Sequence, residues 1–66
     1  MKSMSGKDLC KLLKKNGWIL KRISGSHHIF TKPGRKERIS VPVHKNKDLK
    51  QGLLETLLKI AGINKI

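Results

Sequence analysis

Acidic side chains are scarce: Asp8, Glu37, Asp48 and Glu55 are the only four in a chain of 66 residues. They fall on separate expected elements, which argues against a paired-carboxylate or two-metal hydrolytic site. A single cysteine, Cys10, excludes an internal disulfide and a Cys-rich zinc site, so the fold must rest on packing. Beside Leu9 on a helix, that thiol reads as a core group rather than a nucleophile. No apolar run approaches the roughly 20 residues needed to span a bilayer, and Met1 to Ser5 lacks the apolar stretch of a signal peptide. The expectation is a cytoplasmic protein that does not enter a membrane. Chains this short bury only about 60% of their unfolded surface, so stability should be modest.

Basic residues are abundant. Sixteen Lys and Arg give a formal charge of +12 and a pI near 10.5. Such an excess draws phosphate polyanions through charge neutralisation and counterion release, which makes nucleic acid the leading partner. Composition alone leaves open a solvated basic surface like that of many small ribosome-associated proteins. Self-repulsion among the cations costs stability at low salt, and an acidic partner would relieve it.

Hydrophobic spacing predicts the order α-β-β-β-α. Ser5-Gly6-Lys7-Asp8 has the form of a capping box, and Leu9, Leu12 and Leu13 make one apolar stripe. Asn16-Gly17 supplies a left-handed cap that lets Trp18 fold back onto Leu13, so the first helix is expected over 6–16. Lys7, Lys11, Lys14 and Lys15 lie mostly on its polar side. Trp18 to Ser24 and His27 to Lys32 read as a hairpin about the turn pair Gly25-Ser26. After a second turn at Pro33-Gly34-Arg35-Lys36, the segment Arg38 to Val43 alternates with period two and reads as a third strand. Ile39, Val41 and Val43 would face the core, with Pro42 at a strand end or edge. Asn46 is the expected cap of the last helix, and Asp48 is expected in its first turn, beside the positive end of the helix dipole. Gly52 weakens that start, so regular helix could begin only after Lys50. Leu49, Leu53, Leu57 and Ala61, with Leu54, Leu58 and Ile60 alongside, form a wide apolar face that Gly62 ends. The fold class is α+β: two helices covering one face of a three-stranded antiparallel sheet. One domain is expected over 5–63, with short tails at 1–4 and 64–66, the last packing through its isoleucines.

The chemistry of interest lies at Gly25-Ser26-His27-His28-Ile29-Phe30. Histidine both takes and gives a proton near neutral pH, as cleavage through a ribose 2′-OH requires. Successive strand residues point to opposite faces, so His27, Ile29 and Thr31 share one side while His28, Phe30 and Lys32 share the other. Spacing does not say which side is exposed, although the larger Phe30 favours a core position for His28. His27, His28 and His44 are the only histidines. Adjacent strand histidines diverge and no cysteine or acid completes a ligand set, so neither a metal nor another cofactor is expected. His44 would follow the third strand and fix its loop by a hydrogen bond.

Gly25, Ser26, His27 and Phe30, then Ile39-Ser40-Val41-Pro42-Val43-His44, then a leucine-rich helix ending Ala61-Gly62-Ile63, resemble the HicA toxins. Ser5 to Trp18 also resembles their first helix and its glycine-aromatic exit, so the likeness covers about 5–63. It implies a fold similar to double-stranded RNA-binding domains, an mRNA interferase activity that stops translation, and His27 as the catalytic residue. Gly25 and the small Ser26 would let the RNA backbone approach. Arg22, Lys32, Arg35, Arg38 and Lys45 are the candidate RNA-binding cations, by proximity to the turns and strand ends. The resemblance also implies a HicB-type antitoxin partner. His44 matches the family's histidine after the valine-proline strand, and His28 takes a variable position.

A second reading keeps the fold and drops the catalysis. In it the chain is a double-stranded RNA-binding or ribosome-associated module, with Lys45, Lys47 and Lys50 clamping phosphate near the start of the final helix. His27 in its Gly25-Ser26 setting separates the two.

Overall fold

A computed structural model of the chain describes residues 3–45 and 47–63. The expected cap Asn46, the first two residues and the tail at 64–66 lie outside the described residues. Helix α1 (Gly6–Lys15) starts because Ser5, in extended conformation, accepts the Asp8 amide on its hydroxyl oxygen at 3.1 Å. An N-cap of this kind contributes about 1 kcal/mol. The helix ends one residue earlier than expected, at Lys15 rather than Asn16. Gly17, at φ +90°, donates its amide to the Lys14 carbonyl at 3.2 Å, and the Trp18 amide donates to the Leu13 carbonyl at 3.0 Å. This is a complete Schellman closure. It turns Trp18 back over the helix into the core, where only 2% of the residue stays exposed.

Trp18 therefore precedes the first strand instead of opening it. Strands β1 (Ile19–Ser24), β2 (His27–Thr31) and β3 (Ile39–Pro42) form one antiparallel sheet in the order β1-β2-β3. Each is shorter than its expected span, with Lys32, Arg38 and Val43 just outside. β1 and β2 join through Gly25-Ser26, with Gly25 at φ +60°. Pro42 ends the edge strand β3, where its missing amide costs no ladder bond.

Cross-strand pairing sorts the side chains. Leu20, Phe30 and Ile39 stand in one row, and Ile23, His28 and Val41 in the next, on the face that carries the core. Phe30, Ile39 and Val41 are fully buried there with Leu9, Cys10 and Leu13 of α1 and Leu54, Leu57, Leu58 and Ala61 of helix α2 (Gln51–Ala61). Both helices thus close the same sheet face, as the two apolar stripes require. Val43 is only half-buried at the rim of this core.

α2 begins after Lys50, whose side chain makes no capping hydrogen bond. Asp48 accordingly is not in its first turn, which contains no acid. The reason is a competing pairing: Asp48 forms an antiparallel bridge with Ser5, and the Leu49 amide donates to the Met4 carbonyl at 2.8 Å. Leu53 is 38% exposed, so the apolar face is narrower than its spacing suggests. Gly62, at φ +76°, ends α2, and the Ile63 amide returns to the Leu58 carbonyl at 3.0 Å. The start of α1 rests on the end of β3 so closely that a Cβ on Gly6 would overlap the Pro42 carbonyl oxygen.

Candidate active site

His27 and His28 part company at the first residue of β2. His28 faces the helices, with its Nδ1 3.9 Å from the Cys10 sulfur. Burial pushes the Cys10 thiol up from its ordinary pKa, only partly offset by the charge of Lys14. That thiol is a neutral core group at pH 7, as expected. His27 takes the opposite, helix-free face, where it is exposed and pairs across the sheet with Ser24 and Pro42. The turn before it is anchored, since the Ser26 carbonyl accepts the Val43 amide at 2.7 Å. Nothing lies within 4 Å of where a Gly25 Cβ would stand, so that turn is open to an approaching chain.

Two residues along β2 from His27, about 7 Å at the strand rise, Ile29 enters a groove of about 670 Å³. Ile29, Thr31 and Ser40 form its floor, and its walls are Lys21, Arg22, Arg35, Lys36, Glu37 and Arg38. Five cations face one acid. The acid is already engaged: Arg35 Nε donates to Glu37 Oε1 at 2.9 Å, which holds the Glu37 carboxyl below the usual carboxylate range.

Lys21 and Arg22 are neighbours, and in a regular strand they would face opposite sides. Leu20 pairs with Phe30, yet Arg22 pairs with Ile29, so Lys21 is an extra residue in a β-bulge. Bulges re-aim side chains in this way. Here both cations line the same groove.

The cations proposed from sequence do not all converge. Arg22, Arg35 and Arg38 meet in the groove, together with Lys21 and Lys36, which proximity to turns had not singled out. Arg35 is mostly a fastener. Besides Glu37, its Nη2 donates to the Ile60 carbonyl at 2.9 Å, near the negative end of α2, and its guanidinium lies 5.7 Å from the Trp18 ring centre. Lys32 also leaves the His27 face, with Nζ 5.9 Å from the same ring. Lys45 is beyond the His27 end of the sheet, in a second recess with Val43, His44 and Lys47. His44 is exposed there, and its backbone carbonyl accepts the Lys47 amide at 3.0 Å. Among the described residues no three His, Cys, Asp or Glu side chains converge as metal ligands. None of the described helices is long and apolar enough to cross a membrane.

This arrangement can be set against known proteins. A family model described as the HicA toxin of bacterial toxin-antitoxin systems matches residues 6–63, from the first residue of α1 past the end of α2. The chain belongs to the HicA toxin family. No curated protein matches it. As a HicA-family member it has the role of a toxin in a toxin-antitoxin system, with an antitoxin as counterpart. The matched span of this HicA toxin contains all five elements, His27 and the whole basic groove.

Proposed function

We propose that this HicA-family toxin is a metal-independent endoribonuclease that cuts mRNA in the cytoplasm and so stops translation, with His27 as general base. The observation that carries the reading is His27 itself: exposed on the helix-free face, at an open glycine turn, one step along the strand from a five-cation groove. An imidazole nitrogen of His27 takes the ribose 2′-OH proton as the 2′-oxygen attacks the adjacent phosphorus. The bond to the 5′-oxygen of the next nucleotide breaks, and that oxygen leaves with a proton from solvent. The products are a 2′,3′-cyclic phosphate and a 5′-hydroxyl. Negative charge accumulates on the phosphoryl oxygens along the way, and nearby cations of the basic chain offset it. The antitoxin is of the HicB type, with acidic groups complementing the +12 chain, so that electrostatic steering speeds its capture.

The attacking group is testable directly. Replacing the ribose at a mapped cut by 2′-deoxyribose should abolish cleavage at that position alone, and the products of the unmodified RNA should carry cyclic phosphates. Cleavage at the deoxy position, or 5′-phosphate products, would show that water attacks and would contradict the reading.

A further inference from the structure

The groove does not contain His27, and its construction points to a task separate from proton transfer. We propose that it is a phosphate-binding subsite for single-stranded RNA, holding the backbone on one side of the cut bond. The single-strand preference and the position of the cut rest on the reading of His27 as base, whereas the groove's binding of phosphates does not.

Three observations carry this. First, the bulge at Lys21 brings Lys21 and Arg22 to one wall, while Lys36 and Arg38 arrive on the facing β2–β3 loop. That loop is tied down by Arg35, which spans Glu37, Ile60 and Trp18. Second, these four cations have no salt-bridge partner among the described residues, because Glu37 is taken by Arg35. Their charge is available to a ligand. Third, Trp18 and Phe30 are the chain's only Trp, Tyr or Phe residues, and both are buried. No such ring is left on the surface as a stacking platform for bases. The groove's handle on a strand is therefore the backbone phosphates, held by its cations.

Single strands are favoured over duplex by the chemistry next door. Attack by a 2′-oxygen needs that oxygen, the phosphorus and the leaving oxygen nearly in line, within a near-attack distance. Stacked A-form RNA holds the 2′-oxygen off that line, and a flexible strand reaches it. The groove then fixes the neighbouring phosphates and keeps the strand taut across His27.

The test uses binding of a 2′-O-methyl RNA single strand, which keeps the phosphates and cannot be cut, to the full chain over a salt series. Lys21→Ala/Lys36→Ala/Arg38→Ala is compared with Lys7→Ala/Lys11→Ala/Lys59→Ala, which removes the same charge from exposed helix positions. Thermal midpoints establish that both are folded. The groove variant should flatten the slope of log K against log salt by about 2, from about 0.7 per lost phosphate contact on a single strand. The helix variant should stay close to wild type, a same-sequence duplex should bind more weakly, and changes of base sequence should matter less than loss of the three groove cations. Equal slopes for the two variants, or duplex binding as tight as single strand, would overturn the proposal. So would a groove variant that loses binding to poly-glutamate but keeps its RNA affinity, which would make the groove a site for acidic protein. Failure to cleave RNA, with this binding pattern intact, would remove His27 as base and leave the groove standing.

Discussion

A strand turns adjacent side chains to opposite faces, and in β2 that rule gives two neighbouring histidines unrelated surroundings. His28 meets the Cys10 sulfur under the helices, while His27 meets solvent on the open face. Cys10 carries a pH prediction of its own. Its folded pKa is raised by burial, so the unfolded chain ionises its thiol first, near the ordinary value of about 8.5. The neutral thiol's stabilising contribution is whole below that pH and is lost as pH rises through the folded pKa. The gap in urea midpoint between wild type and Cys10→Ala should therefore narrow above about pH 8.5. A constant gap would mean that burial does not perturb the thiol. The inward place of His28 was legible from the size of Phe30 two residues on. The inward place of Lys32 followed from the same alternation, but its seat over Trp18 was not legible, since it depends on where the Schellman turn delivers that ring.

At the scale of elements, the N-terminus of α1 fits tightly against the end of β3. A methyl at Gly6 would displace the Pro42 carbonyl and with it the strand that pairs with His27. Gly6→Ala should cost about 1–3 kcal/mol in urea unfolding, the range for overpacking a tight contact. It should also lower RNA cleavage through the His27–Pro42 pairing. A neutral result in both would show that the contact relaxes freely. Helix and strand order were legible because their signals are local: the Ser5 cap, the Gly17 and Gly62 exits, the period-two run at Ile39 to Val43. The Gly6 contact and the Asp48–Ser5 bridge were not, because each joins segments distant in sequence. The Lys21 bulge left no glycine or proline behind it, and only the pairing register reveals it.

For the whole molecule, charge is legible in composition but its location is not. Sixteen cations in 66 residues favour a polyanion partner, whereas the sheet decides which of them stand together. Arg22 and Arg38 gather in the groove, Arg35 reaches from its edge to Ile60 and Trp18, Lys32 goes to the helix side, and Lys45 sits past the strand end. Histidine and groove on one open face, with the apolar stripes spent on the other, make the central claim a claim about faces. The measurement that tests it most directly is cleavage of a labelled single-stranded RNA in EDTA by wild type, His27→Ala and His28→Ala, each shown to be folded. The account predicts that wild type and His28→Ala cut, and that His27→Ala is slower by about 10² to 10⁴, the usual cost of removing a general base. Equal cleavage by all three proteins would contradict it.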